Sequence, residues 1–417
     1  MRIVLSFWDG GEGHLARVAH LSTLLHERGD RCLIISSRAK AARVRALAPQ
    51  ADIAEVDNRP EVSRTPQPMP MYSHAFRHAQ RRLALGFGDP GFITANTSQM
   101  LEVLRAFRPH VVINDYHDTL RTAADAAHVP VVSLAMAHGL RSGPALGSWK
   151  RHELVDRPLP ECLDSFNRTR EGWGLPPYED ERETFEGDLV LIPSCPLLDP
   201  VEQSTNSVHV GPIMTPPARP NRRRRRRPLV VSYLAEGNNR PASAYPRALA
   251  AMVRAEHDVE FAVLGGERYS RCFRDGDTFL GMVPAQQYLA LLDEADLVIT
   301  HGGTTLVHAL ERSVPVLCLP WTSSEAAWAV RVEQYGAGLL YPAYYRPLEW
   351  RVDDAVHPSI PLAGHWSLQI TAAELLHSVR QILDEPGHRS AAADLGEQLS
   401  AARNRFDLVD LVRSAGC

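Results

Sequence analysis

A titratable histidine follows a glycine-rich turn close to the start of the chain. Residues 10–13 read Gly-Gly-Glu-Gly and separate a short apolar run, Ile3–Leu5, from a stretch with helical spacing that begins near His14. A turn of this kind brings backbone N–H groups and the histidine to the carboxyl end of the preceding strand. A neutral imidazole, with an ordinary pKa of about 6.5, can accept a proton from a bound hydroxyl group there. A structural or capping role for His14 is the alternative, and the turn lacks the GxGxxG pattern of dinucleotide sites.

A carboxylate that could orient His14 follows a later strand. A general-base histidine needs a carboxylate on its second ring nitrogen. Val111–Ile113 is a predicted strand, and Asp115 comes just after it. In a parallel sheet Asp115 and His14 would therefore lie at the same rim. A cap of the next helix is an equal alternative for Asp115, and Asp118 is a nearby competitor for the orienting role.

The second half of the chain contains another glycine-rich turn between a strand and a helix. Glycines let the backbone approach an anion, threonines cap the helix, and the helix dipole favours negative charge. This pattern predicts a phosphate-binding turn, with a plain strand–helix connection as the alternative. The turn consists of His301, Gly302, Gly303, Thr304 and Thr305.

Composition places the chain among ordinary globular proteins. Its 417 residues are 44% hydrophobic and 23% charged, which predicts two domains or three small ones. The net charge of -4 gives no electrostatic reason to expect nucleic-acid or membrane binding. There is no signal-peptide pattern and no apolar run near the roughly 18 residues of a membrane span. The scattered cysteines, without a CxxC pair, favour reduced thiols and argue against a zinc site, so we expect a cytoplasmic protein without a metal.

Short β-branched runs alternate with amphipathic stretches along the chain, which predicts an α/β fold with parallel sheets covered by helices. A segment rich in proline and arginine, residues 214–228, predicts a solvated linker between two such units, with phosphate binding by Arg222–Arg227 as the less favoured alternative. The predicted strands are Ile3–Leu5, Cys32–Ser36, Val111–Asn114, Val131–Leu134, Leu189–Ile192, Val230–Tyr233, Phe261–Leu264, Leu297–Thr300 and Val314–Leu319.

Motifs spread over almost the whole length resemble those of one enzyme superfamily. They are GHLARVAHLSTLLHERG, VVINDY, FNRTREGWGLPP, LIPSCPLLDP, VHVGPI, MVPAQQYLALLDEADLVITHGG and VPVLCLPW. Together they resemble the UDP-glycosyltransferase and macrolide-glycosyltransferase superfamily. The resemblance implies a GT-B fold of two facing Rossmann-like domains. Its parts would be an acceptor-binding domain (1–214), the linker (215–228), a donor-binding domain (229–395) and closing helices (396–417) that cross back to the first domain.

The resemblance also implies an activity and roles for the residues above. His14 would deprotonate the acceptor hydroxyl with Asp115 as its support. His301, Gly302 and Gly303 would hold the diphosphate of the donor. The implied reaction is a metal-independent, inverting transfer of a sugar to a small-molecule acceptor, commonly a natural product such as an antibiotic aglycone. The nucleotide sugar would be a co-substrate, with no further cofactor.

Several donor-site positions depart from the family pattern. The glycine that usually follows the first strand of the second domain returns only at Gly237, a histidine replaces the ribose-binding glutamate, and the usual glutamine after Val-Pro is Ala285. These departures favour an unusual donor, such as a modified sugar or another nucleotide. The expected donor contacts outside the turn are Ser232, Gly237, Val283, His308, Ser324 and Glu325.

Two rival functions stay open at this point. The first is GT-B chemistry on a non-standard donor, such as an activated pentose phosphate, or a reaction of a sugar nucleotide without an acceptor. The second is a non-catalytic partner of another transferase, which the irregular donor motifs favour. Retention of both His14 and Asp115 argues against the second. The oligomeric state is not predicted.

Overall fold

The structure is a computed structural model. It describes residues 1–9, 11–56, 87–143, 163–202, 206–214, 225–234, 244–274, 278–320, 323–342, 349–352, 364–367 and 370–416. The strands are β1 Arg2–Phe7, β2 Arg31–Ser36, β3 Asp52–Glu55, β4 Val111–Asp115, β5 Val131–Leu134, β6 Leu189–Ile192, β7 Ser207–His209, β8 Leu229–Leu234, β9 Glu260–Gly265, β10 Phe279–Gly281, β11 Leu297–Thr300, β12 Val316–Cys318, β13 Gly338–Leu340, β14 Glu349–Val352 and β15 Gly364–Ser367.

Helices separate most of these strands. They are α1 Glu12–Glu27, α2 Arg38–Leu47, α3 Pro90–Phe107, α4 Leu120–Ala127, α5 Leu163–Gly172, α6 Ala244–Ala255, α7 Ala285–Glu294, α8 Gly303–Glu311, α9 Ser323–Gln334, α10 Ala372–Asp384, α11 Gly387–Asn404 and α12 Leu408–Ala415. Short 3-10 segments occupy Ala137–Gly139, Glu181–Thr184 and Glu267–Cys272.

Two parallel sheets organise the described part of the chain. The first has the order β3-β2-β1-β4-β5-β6-β7 and the second β10-β9-β8-β11-β12-β13, while β14 and β15 form an antiparallel pair. Every strand pair within the two large sheets is parallel, and helices connect most of them. The predicted class, α/β with two Rossmann-like parallel sheets, is therefore confirmed.

Strand β1 illustrates why such a sheet needs helices on both faces. Ile3, Leu5 and Phe7 pack in one apolar cluster, whereas Val4 between them packs in another. Because successive strand residues point to opposite faces, both faces of β1 are buried. This two-sided burial explains the uninterrupted apolar runs from which the interior strands were predicted.

Helix α1 covers one face of the first sheet. Leu15, Val18, Leu21 and Leu25, at the predicted spacing, are fully buried. The helix ends at Glu27, and Gly29 follows with φ of 83°, a left-handed conformation that costs glycine little. The buried residues hold α1 on the sheet from its first turn, directly after β1.

All of the predicted strands are present, and the four that the pattern missed in the two large sheets are β3, β7, β10 and β13. Each of them is an edge strand of its sheet. They have three or four residues, and β3 and β7 contain no fully buried residue. An edge strand is only partly covered, so its sequence carries a weak apolar pattern.

The last two helices pack on different cores. Leu395 and Leu399 of α11 belong to the core of the second sheet, whereas Val409 and Val412 of α12 belong to the core of the first. The predicted boundary after residue 395 therefore falls inside α11. An ion pair between Arg413 Nε and the buried Asp30 Oδ2, at 3.0 Å, ties α12 to the loop that follows α1.

The described end of the arginine run contacts the second sheet. Arg225 is exposed, and its Nη1 donates to Glu260 Oε2 at 2.6 Å. Its guanidinium also pairs with Glu294. Residues 215–224 lie outside the described part of the chain. Since exposed ion pairs contribute little to stability, a solvated role for this end of the run fits its contacts.

Gly211 lies where the end of the first sheet meets α11. It has φ of 64°, and a Cβ there would lie 2.4 Å from the Arg403 backbone nitrogen and 2.6 Å from the Leu399 carbonyl oxygen. Gly174 has a similar φ of 66° with no atom near an added Cβ. The two glycines therefore share backbone strain but differ in packing.

We predict that Gly211→Ala lowers the free energy of unfolding by about 2–4 kcal/mol, because a backbone clash adds to the left-handed strain. Gly174→Ala is the matched control and should cost about 1–2 kcal/mol. The midpoint of urea unfolding measures both. Equal shifts for the two variants would contradict the close contact between Gly211 and α11.

Candidate active site

Parallel pairing brings His14 and Asp115 to the same rim of the first sheet. Strands β1 and β4 are neighbours, with Phe7 opposite Asp115 in the register. The N–H of Trp8 then donates to the Asp115 carbonyl oxygen at 2.8 Å, which holds the start of the turn against the end of β4. The turn enters α1, of which His14 is the third residue.

The two side chains form a hydrogen-bonded pair. His14 Nδ1 is 2.8 Å from Asp115 Oδ1, and the Asp115 side chain is fully buried whereas 23% of the His14 side chain is exposed. Thr119, not Asp115, is the N-cap of α4, so the capping alternative for Asp115 does not apply. An ionised Asp115 accepts the Nδ1 proton, so the neutral ring carries its hydrogen on Nδ1, and this is the tautomer whose Nε2 can take a proton.

Arg17 joins this pair, which the sequence analysis did not predict. Its Nε donates to Asp115 Oδ2 at 2.9 Å and its Nη2 donates to Oδ1 at 2.8 Å. Nη2 also lies 3.0 Å from His14 Nδ1. Burial alone would raise the pKa of Asp115, but the charges of Arg17 and His14 outweigh it and hold that pKa below its ordinary value. The available signal was the i,i+3 spacing of His14 and Arg17 on one helix face.

Two aromatic rings enclose His14. The rings of Trp8 and Tyr116 meet it edge-on, at centroid distances of 5.5 and 5.7 Å. Gly11 provides the remaining space, because a Cβ there would lie 2.9 Å from His14 Cδ2. These contacts restrict the ring to the orientation in which Nδ1 meets Asp115.

The second glycine-rich turn opens α8 as its sequence predicts. Gly302 has φ of 121° and Gly303 φ of 61°, conformations that favour glycine. The N–H of Gly302 donates to Thr300 Oγ1 at 3.1 Å, which holds the turn at the end of β11. Since the first N–H groups of a helix lack intrahelical partners and its N-cap, Gly302, has no side chain, the start of α8 suits an anion.

Glu325 and Tyr233 flank this turn. Glu325 Oε1 is 3.5 Å from His301 Nε2, and a Cβ on Gly302 would lie 3.0 Å from Glu325 Cβ. The Tyr233 ring lies 6.0 Å from the His301 ring. Ser324 is half-buried beside Glu325. The structure thus brings Glu325 to the predicted phosphate turn and adds an aromatic wall.

The two rims face each other. A Cβ on Gly13, next to His14, would lie 2.9 Å from Thr304 Oγ1. The N-terminus of α1 therefore meets the N-terminus of α8, and both helix dipoles present their positive ends to the same space. This juxtaposition joins the His14 pair and the glycine-rich turn into one candidate site.

The remaining expected donor contacts have different surroundings. Ser232 lies within β8 and is fully buried, with its Oγ 2.9 Å from the Tyr245 hydroxyl, and its contact with the phosphates stays a prediction. Val283 is half-buried and packs on the second core. Gly237 lies outside the described residues. Ser232 is buried because it lies two residues before the end of β8, inside the sheet.

His308 is buried in α8, with 5% of the residue exposed. Burial and the charges of Arg312 and Arg403 lower its pKa to about 3, so it is neutral near pH 7. Its Nδ1 has no hydrogen-bond partner within the described residues, and its ring is 5.9 Å from that of Tyr288. A donor contact of His308 therefore stays a prediction.

A second buried histidine, His117, lies near Asp115 and was not predicted. Burial lowers the pKa of His117 to about 4, against the opposing charges of Asp118 and Asp9. Its Nδ1 is 3.4 Å from Thr119 Oγ1, and the Thr119 hydroxyl donates its hydrogen bond to Asn96 Oδ1. Thr119 is thus left as the acceptor for Nδ1–H, and the buried Nε2 has no partner in the described part of the chain. A neutral histidine therefore packs beside the candidate site.

Solved structures share this architecture over nearly the full length of the chain. Spinosyn rhamnosyltransferase SpnG has a TM-score of 0.68 and 18% identity, with 99% of both chains covered. Glycosyltransferase VinC in complex with dTDP has a TM-score of 0.66 and 20% identity, covering 100% of this chain and 99% of VinC. The calicheamicin glycosyltransferase CalG4 has a TM-score of 0.66 and 17% identity, covering 99% of this chain and 98% of CalG4. The chain therefore has the GT-B fold that its motifs imply.

Sequence similarity and the described side chains identify no family, membrane helix or metal site. No family model matches the chain, and no curated protein matches it in sequence. Among the described helices, none combines the length and apolarity needed to cross a bilayer. Within the same residues, no group of three or more His, Cys, Asp or Glu side chains is arranged to hold a metal ion.

We predict that His117 makes the fold sensitive to acid. An unfolded histidine binds a proton near its ordinary pKa of about 6.5, but folded His117 does so only near pH 4, so the unfolded state gains a proton between these values. The free energy of unfolding should therefore fall as the pH falls through this window, by about 3 kcal/mol from this group at pH 4.

The replacement His117→Asn should remove this part of the pH dependence, measured as urea midpoints at pH 7, 5.5 and 4.5. Asparagine can keep the bond to Thr119. The exposed His128 is the matched control. His128→Asn should leave the pH dependence unchanged, and an identical pH dependence for His117→Asn and the unmodified protein would contradict the buried neutral state.

Proposed function

We propose that this protein is an inverting glycosyltransferase that moves a sugar from a nucleotide-activated donor to a hydroxyl group of a small-molecule acceptor. One observation carries the proposal: the His14–Asp115 pair lies next to Gly13, which meets Thr304 at the start of α8. A proton acceptor and an anion-binding turn thus share one space. Structures with the same fold include a rhamnosyltransferase complexed with a spinosyn aglycone, which supports a natural product as the acceptor.

The reaction is a single displacement at the anomeric carbon. His14 Nε2 takes the acceptor hydroxyl proton, the acceptor oxygen bonds to the anomeric carbon, and the bond to the diphosphate oxygen breaks with its electron pair. Asp115 stabilises the imidazolium through Nδ1. The N–H groups at the start of α8 stabilise the negative charge on the departing diphosphate, which needs no metal ion. Attack opposite the leaving group inverts the configuration.

The donor side of the site differs from the family pattern in chemistry. Tyr233 presents an aromatic ring beside His301, and Glu325 presents a carboxylate. A carboxylate beside a diphosphate is repelled unless it binds hydroxyl groups, so Glu325 suits the sugar. SpnG and VinC each have a solved structure in complex with thymidine diphosphate, so dTDP is the first donor product to test. An activated pentose phosphate would share the turn and differ in its contacts with Glu325.

The buried pair argues against a purely structural partner protein. Asp115 has no exposed side-chain surface, and keeping it ionised requires both His14 and Arg17. Apolar residues of similar volume often stabilise a fold as well as such buried charges do. A partly exposed histidine held on a buried carboxylate is therefore better explained by catalysis than by stability.

We predict that His14→Ala lowers kcat by about 10²–10⁴-fold, the usual contribution of a general base, with nucleotide binding unchanged. Turnover is measured as nucleoside diphosphate release from dTDP-sugars in the presence of hydroxylated small molecules, with products identified by mass spectrometry. His26, exposed near the end of the same helix, provides the control His26→Ala. Wild-type turnover in His14→Ala would remove His14 from the mechanism.

We also predict that His301→Ala raises the Kd for dTDP by about 10–100-fold, because a hydrogen bond to a charged group contributes about 1.5–3 kcal/mol. Titration calorimetry measures this affinity. His257, exposed in the same domain, provides the control His257→Ala. An unchanged Kd in His301→Ala would mean that the diphosphate binds elsewhere, and no binding of any nucleoside diphosphate to the unmodified protein would contradict the proposed donor class.

A further inference from the structure

Arg17 is the third member of the His14–Asp115 cluster, and the reaction above gives it no role. Its side chain is 16% exposed, and its guanidinium bonds both oxygens of a carboxylate that is fully buried. It lies one helical turn after His14, so the same helix carries the base and this cation. A buried arginine of this kind is costly unless its charge is used.

We propose that Arg17 is a positioning residue, which holds Asp115 ionised and keeps His14 in the neutral tautomer that carries its hydrogen on Nδ1. The inference rests on the proposed function for its link to catalysis. Its physical content, the ionisation and tautomer of His14, is measurable without any sugar transfer.

The first step concerns the proton on Asp115. A fully buried carboxyl group without a cation favours its neutral form, since burial disfavours charge. A protonated Asp115 would donate to Nδ1, and the neutral imidazole would then carry its hydrogen on Nε2. That tautomer cannot accept a proton at Nε2. The two bonds from Arg17 stabilise the ionised form and so keep the hydrogen on Nδ1.

The second step concerns the charge on His14. Asp115 favours a positive imidazolium, whereas Arg17 Nη2, 3.0 Å from Nδ1, opposes it. The pair of Arg17 and Asp115 has no net charge, so His14 stays neutral to lower pH than it would beside an unpaired carboxylate. Arg17 therefore weakens the attraction of Asp115 for an imidazolium, while Asp115 still stabilises the ring when it becomes charged.

Other titratable groups around His14 do not replace Arg17. Burial raises the pKa of Tyr116 far above its ordinary value, so its hydroxyl stays neutral. Glu12, on the first turn of α1, pairs with Lys40 and Arg43 of α2. Across the cleft Gly13 meets the uncharged Thr304. Arg17 and Asp115 are the charged groups whose atoms lie at 3.0 and 2.8 Å from Nδ1.

The test is a nitrogen-15 NMR titration of labelled histidine in the full-length protein. His14→Ala assigns the His14 signals by their absence. In Arg17→Met we expect the midpoint of the His14 titration to rise by one pH unit or more, or the neutral ring to carry its hydrogen on Nε2. Arg17→Lys keeps the charge but not both bonds, and it should give an intermediate shift, which preserves the test if the methionine variant does not fold.

The NMR titration has a control variant and a result that contradicts the role of Arg17. Arg38→Met is the control, because that side chain is 90% exposed in the same domain and should leave His14 unchanged. A His14 midpoint and tautomer in Arg17→Met equal to those of the unmodified protein, or a midpoint that falls while the neutral ring keeps its hydrogen on Nδ1, would overturn the inference.

The pH profile of kcat adds a functional readout. If the His14 midpoint rises in Arg17→Met, the acidic limb should move to higher pH and partly return in Arg17→Lys; if the tautomer changes instead, kcat should fall in Arg17→Met and partly recover in Arg17→Lys. A normal transferase with an unshifted profile would leave the proposed function intact and overturn the role of Arg17. If the His14 titration shifts in Arg17→Met but the unmodified protein transfers no sugar, the proposed function is contradicted and the effect of Arg17 on His14 stands.

Discussion

A buried, ionised carboxylate at the end of β4 is the constraint on which the candidate site depends. Asp115 has no exposed side-chain surface, so its charge must be balanced by neighbours. Both neighbours, His14 and Arg17, come from α1, one helical turn apart. The register of β1 with β4 and the short turn after β1 bring both side chains to this carboxylate. A shift of α1 by one residue would leave the charge unpaired.

Contacts between the two halves of the chain complete the site. Arg403 Nε donates to the Pro212 carbonyl oxygen at 3.0 Å, and Arg331 Nε donates to that of Leu197 at 3.1 Å. Helix α12 adds Val409 and Val412 to the first core. These contacts hold the start of α8 against the start of α1. Two helix N-termini that meet repel each other slightly, and an anion between them reverses that repulsion.

The donor side combines buried neutral rings with a polar turn. His308 and Tyr288 are in ring contact behind the turn, and Tyr233 lies between Tyr288 and His301. A neutral histidine and two tyrosines make this wall bulky and uncharged. Tyr288 joins His308 to Tyr233 through ring contacts, so one aromatic cluster lies behind the turn.

From the amino-acid pattern the class of fold and the interior strands could be predicted, because strands buried on two faces need unbroken apolar runs. Parallel strands end at a common rim, which put Asp115 near His14 but left a capping role open, and the family resemblance then favoured the pair. Only the folded chain shows the edge strands, the burial of Ser232, the partnership of Arg17 and the contact of Gly13 with Thr304. These depend on neighbours that are distant in sequence: an edge strand is identified by the partner it lacks, and the ionisation of a buried group by the charges that surround it in space.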